Sequence, residues 1–277
     1  MLLLALDTST RYSSVALCTE TELLSEYSWF SGNNHSTELL GYVQRATAEH
    51  HLTLQQLDVV AVATGPGSFN GVRVALTAAK SLAFATNKPL VGISTLDVIA
   101  AQQRHWQGLC CAVLEAGRSE LYAAFYRVGT VRDQGGELLF QQERLSDYLL
   151  FSPQQLVTYL REHEESWFAT DHHETQPPVL FCGEIHVASR QALQAQLPEQ
   201  CVFMRPIDAA RHAEMLALLA VPRVREHRVD SPFELEPLYL RRPSITKSTR
   251  KQPLLGGASQ QPMGQEKTER EEGALRH

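Results

Sequence analysis

The chain has 277 residues, 43% of them hydrophobic, with a formal net charge of −6 and a pI near 6.0. That length supports a sizeable core in one large or two moderate domains, and the acidic balance argues against a free-standing nucleic-acid binder, which would carry a basic footprint. No apolar run approaches a membrane span and residues 1–6 are too short for a signal peptide, so the cytoplasm is the expected location.

Taken in order, residues 2–6 read as a strand ending in Asp7, residues 13–18 as a second and residues 23–30 as a third. Ser36 reads as the cap of a helix to about His50, with Glu38 placed to favour the N-terminal dipole. Residues 58–64 form a Val- and Ala-rich strand leading into GPGSFNG and a helix over residues 71–85. Residues 89–93 are a further strand, and Ser94-Thr95-Leu96-Asp97 reads as a capping box that opens a helix to about Gln103. In the second half, strands are expected at 109–114, 120–128 and 137–142, then a helix at 153–163, a strand at 179–182 and a helix at 188–196. A strand at 201–204 and a helix at 209–220 complete it, with residues 128–136 and 164–178 as exposed insertions. Both halves thus read strand, strand, strand, helix, strand, helix, strand, helix, which suggests a duplicated α/β lobe with a mixed sheet. Residues 231–243 are extended around PLYLRRP. From Ser244 the chain is polar with few large apolar residues and reads as disordered.

The helix over 71–85 has almost no polar face, so it is expected in the core or beneath another protein. The glycine-rich loop before it fails each enzyme motif. A dinucleotide fingerprint or a P-loop would need glycine at Asn70, and a nucleophile elbow at Ser68 would need glycine at Pro66 and Asn70. What remains is a tight turn that brings backbone close to a neighbour, or to an anion at the helix N-terminus. Cys18, Cys110, Cys111, Cys182 and Cys201 form no CxxC pair, and reduced, mostly buried thiols are expected. The eleven histidines include the pairs His50–His51 and His172–His173 but no HExxH, which points to surface or loop positions. Asp7, without a convergent carboxylate in sequence, reads as a cap of the turn after its strand.

Four stretches carry a family resemblance: LLLALDTST with the following SSVAL, His35-Ser36 leading into a Leu pair, GPGSFNGVRVALTAAKSLA, and PLYLRRP. Over about residues 1–247 the chain resembles the TsaB (YeaZ) family, non-catalytic partners of TsaD in bacterial tRNA threonylcarbamoyladenosine synthesis. Two departures stand out: Asn70 where the family has Thr in GSFTG, and Glu115-Ala116-Gly117 where Asp-Ala-Arg is usual.

The resemblance implies an α/β, two-lobed actin-like (ASKHA, ribonuclease H-like) fold with duplicated mixed-sheet lobes. The first lobe would span residues 1–104 and the second 105–247 with its extended segment, leaving 248–277 as a disordered tail. Active members of that fold bind phosphates between an Asp-Gly loop in each lobe; here Thr8 follows Asp7, and Glu115 replaces the second Asp. The catalytic relative holds a metal with two helix histidines, whereas residues 94–102 contain none. The resemblance therefore implies no catalytic, cofactor-binding or metal residue and no cofactor of its own, with ATP and metal on the partner. Its implied partners are a TsaD-like catalytic subunit, a TsaE-like ATPase, a second copy when alone, and tRNA only through the complex. The implied partner interface is His35, Leu39, Val43, Ala46, Arg73, Ala75, Ala78, Ala79 and Leu82. The alternative is an independent kinase of this fold or a glycoprotease-like peptidase, either of which requires a nucleophile–base pair or a metal site.

Overall fold

In the computed structural model, which describes residues 1–32, 34–133, 135–168, 178–197 and 201–241, the strands fall into two mixed sheets. Strands β1 (Leu3–Asp7), β2 (Tyr12–Cys18) and β3 (Leu23–Phe30) form an antiparallel meander. On its other edge β1 pairs in parallel with β4 (Val59–Ala63), and β4 with β5 (Leu90–Ile93), giving the order β3-β2-β1-β4-β5. Strands β1 and β4 are buried along their whole length, which is why LLALD and VVAVA are apolar runs rather than alternations. Leu4, Leu6, Val60 and Val62 face helices α1 (His35–Glu49) and α2 (Phe69–Thr86). Leu3, Ala5, Val59 and Ala61 face the opposite way.

The second sheet has the order β11-β10-β6-β7-β8, from β6 (Gly108–Gly117), β7 (Glu120–Arg132), β8 (Leu138–Arg144), β10 (Val179–Glu184) and β11 (Cys201–Phe203). Short β9 (Leu149–Phe151) adds to β7 beside β8. Helices α4 (Pro153–Phe168) and α5 (Val187–Gln194) pack on one face through Leu156, Leu160 and Leu193.

The two remaining helices cross between the halves. Helix α3 (Thr95–Ala101) lays Leu96, Ile99 and Ala100 on the second sheet, while its Val98 and Ala101 join the first core. Helix α6 (Ala213–Arg225) comes last in sequence yet packs Ala213, Leu216, Ala217 and Ala220 on the first sheet. The duplicated lobes expected from the sequence are therefore present, tied together by exchanged helices, and both lie in the unit Met1–Arg242.

Several local expectations need correction. Helix α1 starts at His35 with Asn34 as the flanking residue, so Ser36 is inside the helix rather than its cap. Strand β7 continues through Arg132, which turns half of the expected 128–136 insertion into sheet, and α4 runs on to Phe168. The helix expected over 209–220 is broken: a 3₁₀ turn, Pro206–Ala209, precedes α6, and Arg211 sits in the break. The remaining insertion residues 169–177 and the tail 248–277 lie outside the described residues. All five cysteines are free, and among the described residues no helix is long and apolar enough to cross a membrane.

Candidate functional site

A cleft of about 620 Å³ opens between the lobes. Its walls include Tyr12 and Phe30 from the first meander, Gly67 and Ser68 from the glycine-rich loop, and Glu115, His186 and Arg190 from the second lobe.

The glycine-rich loop is built to meet the turn after β1. A Cβ on Gly67 would lie 2.2 Å from the Ser9 carbonyl oxygen, and one on Gly71 would lie 2.1 Å from that of Thr8. Only glycine fits there. The Ser68 N–H donates to the Ser9 carbonyl at 2.7 Å, the Thr8 hydroxyl donates to the Gly71 carbonyl at 2.6 Å, and the Ala75 N–H donates to the Thr8 hydroxyl at 3.1 Å. Ser68 caps α2 by accepting from the Gly71 N–H. The Ser68 and Gly71 N–H groups are thus taken by protein, and the loop packs as a tight turn against the one after β1.

Asp7 lies at the root of the cleft. One carboxylate oxygen accepts from the Ser9 N–H at 2.7 Å and from its hydroxyl, the turn cap expected from sequence. The other accepts from the Arg211 Nε at 2.8 Å, in an ion pair 1% exposed on both sides. Arg211 also donates to Glu184, to the Thr10 hydroxyl at 2.9 Å and to the Tyr12 carbonyl at 3.1 Å. Burial lowers the guanidinium pKa, but Asp7 and Glu184 outweigh it and carry it above its usual value. No local sequence pattern could have paired positions 204 residues apart. Glu115 accepts from the His186 backbone N–H at 2.8 Å, so both lobes' acids are held by protein groups. Among the described residues no three His, Cys, Asp or Glu converge on a metal position.

Ser13 and His35 bear on the peptidase alternative. The Ser13 hydroxyl meets His35 Nδ1 at 2.9 Å, the distance of a nucleophile and its base. Both residues are buried, 2% and 5% exposed, and neither lines the cleft. Burial holds the His35 pKa below its ordinary value, and the pair serves to seat the start of α1 on β2.

The expected interface residues divide sharply. Leu39, Val43, Ala46, Ala75 and Ala79 are core side chains beneath α1 and α2, and His35 is turned inward to Ser13; none of the six presents its side chain to solvent. Helix α2 is amphipathic after all, because small alanines make its outer face look as apolar as its inner one in sequence. Arg73 is exposed, and Ala78 and Leu82 are half-buried. The outward stripe is Arg73, Thr77, Ser81, Phe84 and Ala85 on α2, with Leu40, Gly41, Gln44 and Ala48 on α1. Leu40 is 55% exposed and Phe84 67%.

Comparison with known proteins gives a consistent assignment. The family model described as "TsaD: tRNA N6-adenosine threonylcarbamoyltransferase" matches residues 30–248. The Haemophilus influenzae tRNA threonylcarbamoyladenosine biosynthesis protein TsaB is 30% identical over 241 residues, covering 86% of this chain and 93% of that protein. The Bacillus subtilis protein of the same name is 35% identical over 127 residues, 46% of this chain and 56% of the relative. Among solved structures, YeaZ from Pseudomonas aeruginosa superposes with a TM-score of 0.65 at 24% identity, over 86% of this chain and 99% of that one.

Proposed function

From the premise that the chain belongs to the TsaB family of tRNA threonylcarbamoyladenosine biosynthesis proteins, we propose that it is a non-catalytic subunit that activates a TsaD-like transferase. The observation that carries this reading is the end-to-end match to a TsaB protein, 93% of the relative's length. The partner transfers the threonylcarbamoyl group to N6 of adenosine in tRNA and holds the ATP and metal. This chain supplies a docking surface and needs no cofactor. A TsaE-like ATPase joins the assembly, and tRNA reaches this subunit through its partners.

The outer face of α1 and α2 supports the docking role. Leu40 and Phe84 are large, apolar and exposed, and Gly41, Ala48 and Ala85 between them allow another helix to approach closely. Within the expected interface set, Arg73 is exposed beside this surface, and Ala78 and Leu82 are half-buried against the core. A second copy would cover the same face when the chain is purified alone. Against independent chemistry, Asp7 and Glu115 are bound by protein donors and the Ser13–His35 pair is walled off from the cleft.

The test is co-purification of the tagged chain from its native host, then assay of N6-threonylcarbamoyladenosine formation on tRNA. Activity should require both this chain and its TsaD-like partner, with none from this chain alone. Turnover by the isolated chain, or full activity of the partner without it, would overturn the reading.

A further inference from the structure

We infer that Arg211 is a resident cation: its guanidinium fills a two-carboxylate site at the root of the cleft, clasps the lobes through it, and excludes the divalent cation that those oxygens would otherwise take. This goes beyond the proposed subunit role and does not depend on it.

The group the fold leads one to expect between the lobes is a metal–phosphate ligand, and the residues do not fit one. The oxygens converging here are the carboxylates of Asp7 at the end of β1 and Glu184 at the end of β10, the Thr10 hydroxyl, and the Tyr12 carbonyl. An all-oxygen set with two acids is what a hard divalent cation takes. Every one of them is instead spent on Arg211. Its Nε meets Asp7, one terminal nitrogen meets Glu184, and the other is shared between Thr10 and Tyr12, four of its five N–H directions accounted for. Thr10 in turn donates to Glu184, which closes the ring. The buried Asp7 carboxylate, with the partly exposed Glu184 beside it, needs a counter-charge, and the guanidinium provides it without metal.

The backbone around Arg211 is placed to hold it there. Two residues before it, Ala209 is buried at the end of a turn that packs on β10 in the second lobe. Two residues after it, Ala213 is buried in the first-lobe core. Asp7 belongs to the first sheet and Glu184 to the second. One side chain therefore links both lobes and leaves no room for an ion between them.

Replacement of Arg211 separates the site from its occupant. Thermal melts and Mn²⁺ titrations followed by electron paramagnetic resonance would compare wild type, Arg211→Ala and Arg211→Ala/Glu184→Gln, with Mn²⁺ from zero to about 10 mM. Wild type should neither bind at this site nor shift its melt. Arg211→Ala should bind one Mn²⁺ with a Kd on the order of 10⁻⁴–10⁻³ M, as for sparse oxygen sites, and its melt should rise with Mn²⁺. The double variant should lose that response. A variant that folds only with Mn²⁺ supports the inference equally, because the ion then replaces the guanidinium. Equal response in wild type, no binding by Arg211→Ala, or failure to fold even with Mn²⁺ overturns it. Arg211→Lys keeps the charge but loses the fork. It should fold without metal, and amide exchange at residues 10–12 and 183–186 should quicken at least tenfold while β1 and β6 stay protected. Unchanged exchange would remove the clasp.

Discussion

The Tyr126 hydroxyl donates to Asp97 Oδ1 at 2.8 Å, joining helix α3 to the second sheet across a buried boundary. Tyr148 donates to the other carboxylate oxygen, also at 2.8 Å. Asp97 stands where a capping box would send its side chain back to Ser94, but both oxygens are spent on second-lobe tyrosines. Burial raises its pKa above the ordinary carboxylate value, although the two tyrosine hydrogen bonds pull the other way. A carboxyl whose pKa is raised on folding binds its proton more tightly in the native state. Its contribution to stability is therefore full below the unfolded value and falls as pH rises through the folded one. Relative to Asp97→Asn, which does not titrate, wild type should gain stability as pH falls from 7 towards the usual carboxylate range. Paired urea melts at several pH values read this difference; one that is constant, or that moves against wild type on acidification, contradicts it.

The glycines of the loop and of α1 should respond in opposite directions. Gly71→Ala places a methyl group against the Thr8 carbonyl, which is backbone and cannot swing away. A loss of about 1–3 kcal/mol, or more, is expected from such overpacking. Gly41, in mid-α1, has open space around its Cβ position. Gly41→Ala should stabilise the isolated chain by up to about 1 kcal/mol through helix propensity. Denaturant midpoints of the two variants should lie on either side of wild type.

The strands and most helices were legible because their signals are local. The expected strand over residues 23–30 coincides with β3, and the helix expected over 71–85 after GPGSFNG differs from α2 by two residues at its start and one at its end. What escaped is what tertiary contact decides. Arg211 looks like one more polar residue near a helix start, and its role exists only because β1 and β10 converge on it. The helix expected through 209–220 breaks there because the guanidinium must turn inward between two anchored segments. The inner and outer faces of α2 could not be told apart, since alanine satisfies both a core and an open surface. Six of the nine expected interface residues are interior, Ala75 and Ala79 on α2 for that reason.

Charges placed on the two faces of α2 should act through different links of the chain. Ala75 is fully buried, so Ala75→Glu should unfold the isolated protein, an unpaired buried charge costing several kcal/mol. Thr77 and Leu40 point outward. Thr77→Glu and Leu40→Glu should melt within a degree or two of wild type, because exposed substitutions are normally near neutral. If this face docks the partner, both should weaken capture of the TsaD-like subunit at least tenfold in a binding titration. Normal capture by both variants would move the interface elsewhere.

Asp7 and Glu115, one acid from each lobe, separate structure from chemistry. Glu115 accepts a backbone N–H from His186, and Gln keeps an acceptor oxygen in the same place. Glu115→Gln should therefore leave the activity of the reconstituted complex within a few-fold, whereas removing an acid or base that moves a proton in the reaction costs about 10²–10⁴. Asp7→Asn is a different experiment, because it strips Arg211 of a buried counter-charge. Breaking one side of such a pair costs about 3–5 kcal/mol, so the isolated variant should melt well below wild type. At a temperature where both are folded, however, its saturating activity with the partner should stay within the same few-fold range as Glu115→Gln. A hundredfold loss for either variant, with the complex still assembled on a sizing column, would place a catalytic acid in this chain.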